Sequence, residues 1–238
     1  AGVEKRAGRA TNQGRVFIKE DKSKAVMVEI ACETDFVAKN EGFIDAGTKI
    51  AEAAFAKGIG SVVPELEAMV KELALVIKEN MSLKRVFLIK ADSSECIHSY
   101  IHGEGSVGVV VKFKSDKGEA FANEKVKAFI HDVALHVAAF NPMFLDQSKP
   151  DAAWVKEQEE IFKKQVELDE KLKGKPEKVI QGVLAGKLKK LMAEICLVDQ
   201  GFVKDEKMSV SAAMAAAAKE AGASLQIVEF VRAKVGEA

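Results

Sequence analysis

The stretch Ser82-Leu83-Lys84-Arg85-Val86-Phe87-Leu88-Ile89-Lys90-Ala91 returns near the end of the chain as Ser224-Leu225-Gln226-Ile227-Val228-Glu229-Phe230-Val231-Arg232-Ala233. In register the two share Ser-Leu, a following Val, two apolar residues, a basic residue and Ala, and each reads as a strand. What precedes them also repeats in kind. Arg15 to Glu20 and Lys24 to Cys32 read as strands joined by an Asp21-Lys22-Ser23 turn, with helical patterns after them from Glu41 to Ala56 and from Pro64 to Lys78. Pro64 suits a first helical turn, where its missing N–H has no partner to lose. Further on, Cys96 to His102 and Val107 to Lys114 form a hairpin around Gly103-Glu104-Gly105, followed by a helix from about Glu124 to Ala139 and an alanine-rich helix from Ser209 to Ala221. The order strand, strand, helix, helix, strand thus occurs twice. It predicts an α+β fold built from two duplicated small antiparallel sheets with helices on one face of each.

The second unit is interrupted. Asp151 to Leu172 and Glu177 to Val198 are long helical stretches separated by Lys173-Gly174-Lys175-Pro176, a stop and restart. In the second stretch Ile180, Leu184, Leu188, Leu191, Ile195 and Val198 recur at intervals of three and four, an apolar seam bordered by lysines. Val155, Ile161, Phe162, Val166, Leu168 and Leu172 offer a matching face on the first stretch. An inserted antiparallel helical hairpin, coiled-coil-like, satisfies both patterns. Two roles stay open for it: a self-contained pair, or an arm that docks a second copy or another protein. The expected division is a linker at 1–14, a first core subdomain at 15–92, a second at 93–150 with 199–238, and the hairpin at 151–198.

Between the second strand and the first long helix lies Thr34-Asp35-Phe36-Val37-Ala38-Lys39-Asn40. A Thr-Asp pair at such a junction can cap the helix that follows, with the carboxylate at the positive end of its dipole. Capping does not account for Phe36. Its ring is either a staple folded back on its own helix or a wedge shown to another protein, and the residues alone favour the staple.

Composition narrows the function classes. The 36 Lys and Arg balance the 36 Asp and Glu, which argues against a protein that grips nucleic-acid backbones. The three cysteines, Cys32, Cys96 and Cys196, are widely spaced without a CxxC, which favours reduced thiols and a cytoplasmic setting over a disulfide frame or zinc site. No run is long and apolar enough to span a bilayer, so no membrane partner is expected. The chain opens on Ala1, not Met, and is read as processed or trimmed there. Catalytic chemistry finds little support. His98 and His102 share a strand face, but no third ligand accompanies them, so neither metal nor cofactor is expected. His131 and His136, five apart on a helix, point in different directions. The Gly103 to Gly108 run sits between strands with no helix to receive a phosphate, and no nucleophile elbow or Walker pattern occurs. The expectation is a protein that is not an enzyme. His136, near a helix end closed by Pro142, can bond the last carbonyls, and is expected at the edge of the body within a partner's reach.

Taken together these segments resemble translation elongation factor Ts, the guanine-nucleotide exchange factor of elongation factor Tu. The resemblance covers nearly the whole chain. It rests on Cys32 to Asn40 as the TDFVAKN segment and on His136-Val137-Ala138-Ala139 with Pro142 as the HVAA-x-x-P segment. Gly174-Lys175-Pro176, Gly186-Lys187-Leu188-Lys189-Lys190, Gln200-Gly201-Phe202-Val203 and Val235-Gly236-Glu237 also fit. The resemblance implies elongation factor Tu as partner, with Thr34 to Asn40 and His136 and Val137 in the interface. Asp35 and Phe36 would enter an apolar gap between helices of the Tu G domain, and the His136 region would help displace its phosphate-binding loop. The second sheet would hold another Tu domain, and the hairpin would dimerise through Ile180, Leu184, Leu188, Leu191 and Ile195. The family usually begins with a small helical domain resembling a ubiquitin-associated fold. Glu4 to Arg9 here looks like the linker after it, and a family C-terminal extension is also expected to be missing. The alternative is a dimerising scaffold that does not drive exchange. A metal-dependent enzyme built on His98 and His102 is a distant third.

Overall fold

The computed structural model describes residues 4–238, so the first three residues of the expected linker lie outside the described residues. Strands β1 (Gln13–Glu20), β2 (Lys24–Cys32) and β3 (Met81–Lys90) form one antiparallel sheet in the order β1-β2-β3. Strands β4 (Glu95–His102), β5 (Val107–Lys114) and β8 (Gln226–Lys234) form a second in the order β4-β5-β8. In both, a hairpin supplies the first two strands and a later segment closes the sheet against the central one. Both closing pairs carry one register irregularity, at Glu29/Ile30 and at Lys112/Phe113. The fold is α+β.

Alternation along the strands assigns each face. Phe17, Val26, Val28, Ile30, Leu83 and Val86 pack beneath helices α2 (Glu41–Lys57) and α3 (Pro64–Ile77), meeting Phe43, Ile50, Leu66 and Val70. Helix α2 rides close to β1: a Cβ on Gly47 would fall 2.1 Å from the Phe17 ring. Helix α4 (Glu124–Phe140) covers the second sheet, where Phe113 and Phe129 meet edge to face at 6.3 Å. The remaining faces are apolar too, and they pack on each other. Val16, Ala25, Met27 and Ile89 of the first sheet share a core with Val110 and Ala233 of the second. Gly108 permits the approach, since a Cβ there would lie 2.4 Å from Val16 and 2.8 Å from the Met27 sulfur. The strand and helix order predicted helices on one face of each sheet. It left the partner of the other face unassigned, and that partner is the other sheet.

The chain resolves into two compact units. One holds the described residues through Phe140 together with Ala215–Ala238, and so contains both three-stranded sheets. The other is Asn141–Met214, with helices α5 (Ala152–Leu168) and α6 (Glu177–Ile195) and the two-stranded pairing of β6 (Gly201–Phe202) with β7 (Asp205–Ser209). Helix α7 (Val210–Ala221) begins in this unit. Within it, Asp151 caps α5 by accepting from the Trp154 N–H at 2.7 Å. The end of α6 returns to the start of the unit, where the Met143 and Phe144 N–H groups both donate to the Ile195 carbonyl, at 2.8 and 3.2 Å. Trp154 packs edge to face on Phe144. Ile180, Leu184, Leu188, Leu191 and Ile195 are all half-buried, and Val166 and Met192 are the buried residues of the two helices. Leu168, expected on the inner face of α5, is 82% exposed because it occupies the last position of a helix whose chain turns away at Asp169.

Candidate functional site

The Thr34 to Asn40 segment forms a helix of its own, α1 (Asp35–Ala38). Thr34 caps this single turn, its hydroxyl oxygen accepting from the Val37 N–H at 3.3 Å. Asn40, not Thr34, caps the long α2, accepting from the Phe43 N–H at 3.2 Å. The expectation of one cap for one helix is thereby corrected: two polar caps six residues apart bracket a separate turn. Ala38 is buried and Val37 half-buried, both joining the core under α2 and α3. Helical spacing then directs Asp35, Phe36 and Lys39 outward, and all three are exposed. Phe36 is 84% exposed, so the staple favoured by the sequence is overturned. A staple needs a ring that faces its own helix, and the inward positions of this turn belong to Val37 and Ala38.

Residues far away in sequence hold α1 in place. Arg15 on β1 donates from Nε to the Ala38 carbonyl at 3.0 Å. The Cys32 thiol donates to the Thr34 carbonyl at 3.2 Å; burial, then the nearby Glu79 carboxylate, push its pKa up to about 12, so it stays protonated. Helix α3 ends at Lys78, whose left-handed backbone (φ 66°) reverses the chain and brings Glu79 to the start of α1. One Glu79 oxygen accepts from the Glu33 and Thr34 N–H groups at 3.1 and 3.2 Å, and the other from the Thr34 hydroxyl at 2.6 Å. Glu33 reciprocates by accepting from the Asn80 N–H at 2.6 Å. A groove of about 260 Å³, lined by Arg15, Asp35, Lys39 and Glu104 among others, opens beside the turn. Glu79, Glu33, Asn80 and Arg15 were missed in the sequence. A carboxylate 45 residues from the amide it holds leaves no periodic or spacing signal.

His136 is placed otherwise than expected. It is fully buried in α4, its ring 4.7 Å from that of Phe140, and Val137 beside it is equally buried. The reason is helical phase: His136 falls on the stripe of Val126, Phe129, Ile130 and Val133 that covers the second sheet. It is a core side chain, and the exposed aromatic at that helix end is Phe140. His98, Tyr100 and His131 gather on the outer part of this layer. His98 Nε2 and His131 Nδ1 lie 3.2 Å apart, with the Tyr100 ring edge-on to His131. Burial, then His131, hold the pKa of His98 below its usual value. His102 pairs instead with the Tyr100 hydroxyl at 2.8 Å. Among the described residues no group of three or more His, Cys, Asp or Glu is placed to hold a metal ion, and no helix is long and apolar enough to cross a membrane.

The segment thus presents an exposed aromatic on a turn that Thr34 caps and that Glu79 and Arg15 brace. Residues 33–237 match the family described as Elongation factor TS, and the chain belongs to that family of translation elongation factors. It is 48% identical over 237 residues to the elongation factor Ts of Treponema denticola, an alignment spanning 99% of this chain and 83% of the relative. It is 40% identical to that of Borreliella burgdorferi over 99% of this chain and 84% of the relative, and 40% identical to that of Borrelia recurrentis over 98% and 83%.

Proposed function

We propose that this chain is a guanine-nucleotide exchange factor whose partner is elongation factor Tu, and that Asp35 and Phe36 are the pair it inserts into the Tu G domain. The observation that carries this reading is the Phe36 ring, exposed on a turn that Thr34 caps and that Val37 and Ala38 anchor in the core. Large aromatic rings dominate interface energetics once desolvated, and one held rigid loses little conformational entropy on docking. No covalent chemistry is required. A factor that binds nucleotide-free Tu more tightly than GDP-bound Tu must, by linkage, weaken the hold of Tu on GDP by the same factor. His136 and Val137 serve from the core, shaping the end of α4 without touching the partner themselves. The exposed Leu168, Ile161 and Val179 favour a docking or dimerising role for α5 and α6. That role predicts a concentration-dependent mass in solution; a mass constant with concentration would remove it.

The decisive assay is release of labelled GDP from Tu with and without this chain. Replacing Phe36 by Ala should remove most of the acceleration, about tenfold or more for a central aromatic anchor. Normal exchange by that variant would remove the wedge from the mechanism.

A further inference from the structure

We propose that Glu79 is a positioning residue for the Asp35–Phe36 tip, and that the reciprocal brace between Glu79 and Glu33 governs how efficiently this protein drives nucleotide release. The inference rests on the exchange reading above. A helix of four residues cannot hold itself, because the first turn fixes several backbone torsions for very few hydrogen bonds. Something outside the turn must therefore supply its order. The Glu79 carboxylate does so at the N-terminal end, taking three donors from Glu33 and Thr34. It fixes the Thr34 hydroxyl that in turn caps Val37. The brace is closed from the other side by Glu33, which accepts from the Asn80 N–H and lies 3.4 Å from Arg9. The turn before α1 and the turn after α3 are thereby stitched by two carboxylates, Glu79 holding the Glu33 and Thr34 N–H groups and Glu33 holding the Asn80 N–H. Bonds to an ionised acceptor are among the stronger ones a fold makes. Remove Glu79 and the turn frays, so Phe36 must be ordered at the moment of binding, at a cost in both affinity and rate.

The test uses the full chain as Glu79→Ala and Glu79→Gln, the second keeping one acceptor oxygen and guarding against a variant that fails to fold. In the free protein, protection of the Lys39 and Asn40 amides against hydrogen exchange should fall about tenfold in Glu79→Ala and less in Glu79→Gln. Labelled-GDP release from Tu should slow by about the same factor, again with partial rescue by Gln. In a Phe36→Ala background Glu79→Ala should add no further loss, since the tip it positions is already gone. Unchanged amide protection would overturn the brace whatever the exchange rate. Lost protection with normal GDP release would overturn the positioning role. An equal loss in both backgrounds would place Glu79 on another route. Normal exchange by Phe36→Ala alone would fail the wedge reading and this role with it, and the amide measurement would still report separately on the brace.

Discussion

At the scale of single residues, a ring that is 84% exposed adds almost nothing to folding stability, because it is solvated in the folded and unfolded chain alike. Phe36→Ala should therefore leave the unfolding free energy from urea titration within about 0.5 kcal/mol of the parent while exchange collapses, separating a recognition residue from a structural one. His98 behaves in the opposite way. Its pKa is lowered in the fold, so as pH falls below the usual 6.5 the unfolded chain takes up a proton that the folded protein resists. Its contribution is fully present above pH 6.5 and is lost as pH drops through the depressed value. His98→Gln should flatten that part of the stability profile, measured by urea unfolding on either side of pH 6.5. The Thr34 to Asn40 segment was legible in sequence as a polar cap before a helix. The orientation of Phe36 was not, because it depends on which residues of the turn the core under α2 and α3 takes in, and on a carboxylate supplied from beyond α3.

At the scale of elements, the strands of the two three-stranded sheets and every long helix were readable, since each carries a period of two or of about three and a half bounded by turn residues, whereas the short pair β6 and β7 was not. What periodicity cannot show is a one-turn helix such as α1, too short for any pattern, or the end of α5, where Leu168 matched the seam by spacing but not by position. Helix α6 offers a clean test of local energetics. A Cβ at Gly182 or Gly186 would meet nothing within 4 Å, so neither glycine is required by packing. Gly182→Ala and Gly186→Ala should each stabilise the helix by about 0.8–1 kcal/mol, read as slower amide exchange along α6. A loss of stability from either change would mean that this helix face is covered in solution.

At the scale of the unit that holds both sheets, the decisive contact is the one between the sheets, and it was invisible in one dimension. Ala25, Met27 and Ile89 predict a buried face but do not say against what. At the edge of this interface Glu29 is buried, with its Oε1 3.4 Å from Arg85 Nε and without a hydrogen bond, while Arg85 also donates to the Glu237 carbonyl at 2.6 Å. Burial raises the Glu29 pKa, Arg85 and Lys84 oppose the rise, and Glu237 adds to it. A carboxyl raised in this way contributes its stability below the ordinary value of 4.5 and loses it as pH climbs through the raised one. Glu29→Gln cannot ionise, so relative to the parent it should gain stability between pH 4.5 and neutrality, measured by paired urea titrations.

The late return of β8 to its place beside β5 also bears on how the chain is made. The first sheet is complete once Lys90 has emerged, whereas the β4–β5 hairpin must wait for more than a hundred further residues before its third strand exists. At about 5–20 residues per second that interval lasts on the order of ten seconds. Throughout it the open edge of β5 offers unpaired backbone groups to any neighbouring nascent strand. A ribosome that stalls between the two strands therefore leaves one finished sheet and one adhesive edge on the same tethered chain.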